Sequence, residues 1–381
     1  MQDLSEIRHE IDGIDDEIVD LFQKRMTLAD EIGAYKREND LPVLDRARER
    51  AKLAEMASKV PEDLQDNVSV LFQLIMEASR TRQYELVNRD TELLEAIERA
   101  QQETPQLFPQ QAFVACQGVE GAFSQIAADK LFKRPSISYF DTFDGVFRAV
   151  EQGFCQFGIL PVENSTAGSV NQVYDLMMQH DFHIVRSVRL KVDHNLLAKP
   201  GTKLADVREI YSHQQAISQC QTFLAGLDGV QVHVCDNTAM AARAVAESDR
   251  NDVAAISSRS CAELYDLDFL ERSIQDKGNN YTRFVCVEKC LEIYPGADRT
   301  SLMIVVSHTP GSLNRVLSRF YSLDINILKL ESRPLPDRDF EFMFYFDLES
   351  QVNAPEFKTL LSSLGDVCEE FRYLGSYTEV V

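Results

Sequence analysis

No stretch of the chain approaches the roughly 18 to 20 consecutive apolar residues that span a bilayer, so no membrane-crossing helix is expected. The opening MQDLSEIRHEIDG is charged from its third residue, which argues against a secretory leader there. Positive charge is scarce: 39 Lys+Arg stand against 61 Asp+Glu, a net charge of −22. A field of that sign repels phosphate backbones and anionic lipid, so neither nucleic acid nor a membrane is an expected partner. Any anionic ligand then needs a local cluster of Arg and Lys. The sequence has no G-x-x-x-x-G-K-[ST], no G-x-G-x-x-G and no G-x-S-x-G, which removes the markers of nucleotide binding and serine hydrolysis. Its eight cysteines include no C-x-x-C pair, and the plain reading is reduced thiols in a cytoplasmic protein. His180-x-x-His183 lacks an acidic or cysteine partner at zinc-site spacing, so no metal is expected.

What is present is ordinary globular composition, 44% hydrophobic and 26% charged. At roughly 150 residues per domain, 381 residues suggest two or three domains. The pattern divides the chain further. Residues 1–88 read as helix, 89–110 as a helical or linker segment, 111–290 as alternating strands and helices, and 299–376 as strand, helix, strand, strand, helix, strand. The segments AQQETPQLFPQ (100–110) and YPGADRT (294–300) read as linkers. The fold class is therefore multidomain, α followed by α/β.

In the first region Asp3-x-x-Glu6 is a capping box. Leu4, Ile7, Ile11, Ile14, Ile18, Leu21, Leu28 and Ile32 then follow steps of three and four, the spacing of a long helix in a coiled-coil-like seam. The gap in that stripe is Arg25, which needs an anion if buried, or else snorkels or pairs with a buried Glu. Asp45, Arg48 and Glu49 share one face of a second helix, a pattern that taken alone reads more readily as an exposed salt-bridged surface. On a third helix the stripe Phe72, Met76, Ser79, Gln83 begins apolar and ends polar, as around a small wet cavity. Arg25, Lys36, Arg48, Glu49, Ser79 and Gln83 would line such a space: cations for a dianion, a carboxylate for a hydroxyl, and neutral donors.

Arg8, Arg25, Lys36, Asp45, Arg48, Glu49, Ser79 and Gln83 resemble, in order and nearly in spacing, the site of the all-helical chorismate mutase family. The resemblance implies rearrangement of chorismate to prephenate, a pericyclic step that needs confinement and charge placement but no proton transfer. It implies that Lys36 and Gln83 donate to the ether oxygen, that Arg8, Arg25 and Arg48 hold carboxylates with Ser79 assisting, and that Glu49 and Asp45 address the ring hydroxyl. Arg8 and Arg25 lie 17 residues apart on one helix, about 25 Å at 1.5 Å per residue. One small ligand cannot touch both from the same helix, so if both serve one site Arg8 comes from a second chain and an intertwined homodimer is expected; the other reading is that Arg8 is a surface residue.

In the middle region each strand ends in Ser, Thr, Asn or His at a helix start, places where free N–H groups favour anions. FVAC (113–116), FGIL (157–160), Glu209–Tyr211 and Val253–Ile256 read as such strands. Each Ser alone is most simply an N-cap, and the pattern by itself also fits a two-lobed binding protein without chemistry. GVEGAFSQIAA, PVENSTAGSVNQVYDL, YSHQQA and NNYTRF resemble the motifs of the prephenate dehydratase family over 112–288, with Val119 where that family usually has Pro. The resemblance implies a two-lobed α/β domain like the periplasmic binding proteins and conversion of prephenate to phenylpyruvate. It makes Thr282 the donor to the departing hydroxyl and Arg283 an organiser. Asn164, Ser165, Thr166, Ser212, His213 and Gln215 are the substrate-cleft candidates, His213 being either a second acid or a capping group.

The last region reads βαββαβ, the ferredoxin-like order. Glu331-Ser332-Arg333-Pro334 and Gly311-Ser312-Leu313-Asn314 resemble the effector motifs of an ACT regulatory domain, Ser312 and Asn314 departing from the usual pattern. The resemblance implies that phenylalanine binds between two such domains and inhibits; a purely dimerising module is the other reading. Together the three regions resemble the bifunctional chorismate mutase/prephenate dehydratase family, which uses no cofactor. Two alternatives remain: a dehydratase with lost mutase activity or a preference for arogenate, and a non-catalytic amino-acid sensor.

Overall fold

The computed structural model describes residues 3–87, 92–336, 338 and 341–381. The chain divides into two compact units, residues 1–98 with 302–372 and residues 99–301 with 373–381. The boundary expected between residues 88 and 89 lies outside the described residues.

Three helices open the first unit: α1 (Leu4–Glu38), α2 (Arg46–Ala57) and α3 (Gln65–Val87). The Asp3 N–H donates to the Glu6 carboxylate at 3.2 Å, as the capping box requires. α1 and α3 lie against each other, fastened by Arg82, whose Nε and Nη2 donate to the two Asp30 oxygens at 2.7 and 2.6 Å. The face α1 turns inward carries Met26, Ala29 and Gly33. The eight Leu and Ile residues of the predicted seam are each 40–63% exposed in the single chain. The seam thus runs along a different face from the one that packs on α3, and Arg25, at the gap in that seam, reaches across to α3. Small side chains serve the close contact within the chain, and the large apolar ones are left uncovered by it.

α4 (Glu92–Glu103) leads into the second unit. Its first lobe contains β1 (Gln111–Gln117), α5 (Phe123–Leu131), β2 (Arg134–Phe140), α6 (Phe143–Glu151), β3 (Phe157–Asn164), β4 (Gly168–Ser169), α7 (Asn171–Met177) and β5 (His183–Lys191). The chain then crosses to a second lobe: β6 (Asn195–Ala198), β7 (Glu209–His213), α8 (Gln214–Gln219), α9 (Gln221–Ala225), β8 (Gln231–Cys235), α10 (Thr238–Glu247), β9 (Val253–Ser257), α11 (Arg259–Leu264) and β10 (Asp268–Glu271). It returns to the first sheet as β11 (Tyr281–Glu288). The two crossovers touch, the Val192 N–H donating to the Asn280 carbonyl at 2.8 Å. β11 lies between β3 and β5 and antiparallel to both, and in the second sheet β9 lies between β6 and β7. Both sheets carry a buried apolar core, with Val114, Phe157 and Ile159 in the first and Leu197, Ala255 and Ile256 in the second.

Two expectations change here. The strand read at 157–160 continues to Asn164 and folds back through a tight turn to β4, because the Asn164 side-chain oxygen accepts from the Thr166 and Ala167 N–H groups. The two segments read as linkers are packed rather than free. Phe108 meets Tyr294 edge-on at 4.9 Å, the Arg186 guanidinium lies 4.7 Å over Phe108, and the Ile293 N–H donates to Thr104 Oγ1 at 3.0 Å.

The remaining elements are β12 (Arg299–Val305), α12 (Ser312–Ser322), β13 (Asn326–Pro334), β14 (Phe342–Glu349), α13 (Pro355–Leu364) and β15 (Glu370–Tyr377), in the sheet order β13-β14-β12-β15. This is the βαββαβ arrangement read from the sequence. A last strand, β16 (Glu379–Val380), joins the edge of the second unit's first sheet, parallel to β5; nothing in its two residues announced that.

Candidate active sites

In the helical region the side chains of α1 and α3 meet. Arg25 Nη1 donates to the Ile75 carbonyl at 3.1 Å and to the Ser79 hydroxyl. Lys36 Nζ donates to the Val43 carbonyl at 2.5 Å and to Gln83 Oε1 at 3.1 Å. Gly33 makes this approach possible. A Cβ there would stand 3.1 Å from Leu86 Cδ1 and 3.2 Å from the Gln83 Cα. Helix propensity alone would favour Ala by about 0.5–1 kcal/mol, so the glycine is retained against that preference.

Burial lowers the pKa of Arg25, with Glu49 opposing, and burial lowers that of Lys36, with Asp45 and Glu49 opposing. Two cations, a hydroxyl and a carboxamide thus face one space, with Glu49 at the first turn of α2 as the nearby anion. Asp45 is the N-cap of α2 and accepts from the Arg48 N–H at 3.0 Å. Asp45 and Arg48 are exposed, and so is Arg8 on the other half of the unbroken α1.

Two residues that sequence reasoning missed complete the surroundings. Arg80 is buried on α3 and pairs with both Glu49 and Glu77. Arg319 of α12 has no exposed surface; its Nη2 stands 3.2 Å from Glu77 Oε1, and its Nη1 donates to Thr81 Oγ1 at 3.2 Å. The spacing Glu77-x-x-Arg80 was a usable signal for the first. The second had none, because its partner is more than 200 positions away.

In the second unit the Thr282 and Asn164 side chains meet across β11 and β3, where the two residues are register partners. The Asn164 orientation is fixed by the backbone: its Oδ1 accepts from the Thr166 N–H at 3.1 Å and the Ala167 N–H at 2.9 Å. Its amide nitrogen therefore faces the other way and donates to Thr282 Oγ1 at 2.9 Å and to Asn280 Oδ1 at 2.7 Å. Thr282, itself half-buried, must accept that bond, which leaves its own proton for another acceptor. Accepting a hydrogen bond also polarises the hydroxyl toward donation. Thr166 Oγ1 donates to Asn164 Oδ1 at 2.7 Å and receives Gln219 Nε2 at 2.6 Å. Asn280 and Gln219 are thus members of the cluster that the sequence reading did not include. Asn280 belongs to the motif NNYTRF, two positions before Thr282.

The other candidates sit differently. Arg283 alternates to the opposite face of β11 from Thr282 and forms an ion pair with Glu163 at 2.8 Å. Ser165 Oγ donates to the Asn279 carbonyl at 2.7 Å and receives the Tyr281 N–H, so it fastens the turn to β11. Ser212 is completely buried, donating to the Ile256 carbonyl at 2.7 Å, and ties β7 to β9 rather than facing a cleft. His213 caps α8, its Nδ1 accepting from the Gln215 N–H at 3.3 Å, and burial lowers its pKa with Asp236 opposing. Gln215 lies half-buried in that first turn.

In the last region Gly311 takes a positive φ of 82° as the N-cap of α12. Ser312 is buried among hydroxyls, 2.7 Å from Thr309 Oγ1 and 3.0 Å from Ser307 Oγ, and receives Arg315 Nη2 at 3.1 Å. Leu313 is half-buried and Asn314 exposed. Glu331, Ser332, Arg333 and Pro334 lie on β13, the edge strand, with Glu331 and Arg333 half-buried and Ser332 and Pro334 exposed.

Among the described residues no group of three or more His, Cys, Asp or Glu is placed to hold a metal ion, and no helix is long and apolar enough to cross a membrane.

Comparison with known proteins matches a family to each of the two regions. The family model for prephenate dehydratase matches residues 114–291, and that for type II chorismate mutase matches residues 7–84. An arogenate dehydratase/prephenate dehydratase of Arabidopsis thaliana is 37% identical over 69% of this chain and 72% of its own length. The bifunctional chorismate mutase/prephenate dehydratase of Escherichia coli is 29% identical over 97% of this chain and 95% of its own. The crystal structure of prephenate dehydratase from Arthrobacter aurescens in complex with L-Phe superposes with a TM-score of 0.65 at 25% identity, covering 70% of this chain and 89% of that one. The chain therefore belongs to the prephenate dehydratase family and is an enzyme that carries a type II chorismate mutase domain ahead of the dehydratase domain.

Proposed function

We propose that the two sites act in sequence, the helical one rearranging chorismate to prephenate and the two-lobed one converting prephenate to phenylpyruvate. The observation that carries this reading is the presence, in separate compact units, of a cation-lined helical site and of the Asn164–Thr282 pair.

At the first site the protein confines a flexible dianion and supplies positive charge where the breaking ether bond becomes negative. Lys36 and Gln83 stand together and donate to that oxygen. Arg25 and Arg48 hold carboxylates, Ser79 assists Arg25, and Glu49 with Asp45 takes the ring hydroxyl. Arg8 comes from a second copy whose α1 covers the exposed Leu/Ile seam, so the working unit is a homodimer or a larger homo-oligomer.

At the second site the ring C–O bond breaks, the carboxylate carbon leaves as CO2, and the electrons of that C–C bond complete the aromatic ring. The departing hydroxyl accepts a hydrogen bond from Thr282 and leaves as water on taking the threonine proton, which solvent then restores. Thr166 and Asn164 position substrate and donor; Arg283, on the other face of β11, acts through the strand. Phenylalanine binds between two C-terminal domains, at Gly311–Asn314 of one and Glu331–Pro334 of the other, and inhibits. Eight free thiols suit a cytoplasmic site of action.

The test is product analysis with chorismate, prephenate and arogenate, each with and without phenylalanine. Conversion of the first two, slowed by phenylalanine, supports the proposal. Turnover of arogenate alone would move it to the other substrate, and no turnover of any would end it.

A further inference from the structure

The hydrogen-bond directions around Thr282 propagate away from it. Because two backbone N–H groups fix Asn164 Oδ1, the Asn164 amide nitrogen must face Asn280, so Asn280 presents its oxygen there and its Nδ2 to Gln219, at 3.0 Å. The Gln219 atom it meets must then be Oε1. That same oxygen lies 2.8 Å from Nε2 of His194, which is only 3% exposed and sits on the crossover between the lobes. An acceptor facing an acceptor is excluded at that distance, so Nε2 carries a proton. His194 Nδ1 is buried and meets no hydrogen-bond partner among the described residues, so the other tautomer would bury an unpaired N–H as well as lose the bond to Gln219.

We infer that His194 is a positioning residue for dehydration: its Nε2–H holds the Gln219 carboxamide so that Gln219 Nε2 stays on Thr166 and the Asn164–Thr282 pair keeps its geometry. This rests on the reading of Thr282 as the dehydratase donor. Asp193 is the neighbouring carboxylate and is itself engaged by Gln275 Nε2 at 2.8 Å; the Gln275 oxygen receives the His194 backbone N–H at 2.9 Å. Burial, opposed by the Gln219 bond and Asp193, lowers the imidazole pKa.

The experiment compares His194→Leu with His194→Gln in the full chain. Both are similar in bulk, but only Gln retains a nitrogen donor near the place of Nε2. His194→Leu is expected to lower kcat for prephenate roughly 10- to 100-fold with a smaller change in KM, as misplacement of a donor does. His194→Gln should recover most of that loss, and in a Gln219→Ala background His194→Leu should add little further. Equal losses in Leu and Gln, or losses that multiply with Gln219→Ala, would overturn the inference. Nitrogen NMR of the wild-type ring, assigned against His194→Gln, needs no activity and no Leu variant: the Nε2–H tautomer supports the inference and Nδ1–H overturns it. A wild-type chain that dehydrates neither prephenate nor arogenate would instead strike the underlying reading of Thr282.

Discussion

Asn164 Nδ2 donates to Thr282 Oγ1 at 2.9 Å across two paired strands, and two backbone N–H groups hold the asparagine in the orientation that makes it the donor. In the proposed mechanism this relationship makes an ordinary alcohol a directed donor, because a lone pair is engaged and its proton is not. Asn164→Asp reverses this, since a carboxylate facing Oγ1 accepts the threonine proton. Prephenate dehydration should fall by roughly 10²- to 10³-fold, the scale of losing one oriented donor, while chorismate rearrangement is unchanged. Steady-state assays of both reactions on one preparation check this; an undiminished dehydration rate would count against the assigned roles.

On the proposed reading the helical site depends on a charged lysine. Burial lowers the pKa of Lys36, with Asp45 and Glu49 opposing. Lys36 is active when protonated, so raising the pH removes activity, and a lowered pKa moves that loss to lower pH than for an ordinary lysine. Rearrangement should therefore show an alkaline limb below the usual lysine range, measurable as kcat/KM against pH. Lys36→Arg, charged throughout, should lose the limb while turning over more slowly.

Arg80 is shared by Glu49 and Glu77, and Glu77 also faces the fully buried Arg319. Arg80→Met leaves Glu49 without its pair and Glu77 with Arg319 alone, and breaking a buried pair costs about 3–5 kcal/mol. Urea unfolding of the helical region should show a loss of about that size, with mutase activity falling as Glu49 loses its support. Adding Glu77→Gln should not restore the stability, because the fully buried Arg319 then loses its own carboxylate partner.

Much of this arrangement was legible. The polar end of the Phe72–Gln83 stripe announced an inward-facing site, and the alternation of strand and helix announced the two lobes. What was not legible has physical causes. The steps of three and four placed Arg25 at the gap in the Leu/Ile seam but could not say which face meets α3; the small residues Ala29 and Gly33 decided that. Ser212 looked like a cleft residue because Ser ends a strand before a helix, yet its hydroxyl is spent inside the sheet. Phe108 and Tyr294 sit in Pro-containing segments that read as linkers, but their rings found each other. Gln219 reaches the site only because the second lobe folds over the first sheet's crossover, a contact no local pattern encodes.

The exposed seam and the distance between Arg8 and Arg25 on one unbroken helix predict complementation. Arg8→Ala and Arg25→Ala homodimers each lack a carboxylate anchor at every site. Mixed subunits restore one intact site of two, so rearrangement should recover to about a quarter of wild type at equal, random mixing, since half the dimers are mixed and each has one good site. The measurement is mutase activity of the mixture after subunit exchange is verified by tagged pull-down. Activity no higher than in the parent variants would place Arg8 outside the site.

Two separate chemistries in one chain are tested most directly by Thr282→Ala fed with chorismate. Prephenate should accumulate at the wild-type rate while phenylpyruvate formation stops. Continued phenylpyruvate formation, or a matching loss of chorismate consumption in a folded variant, would contradict it.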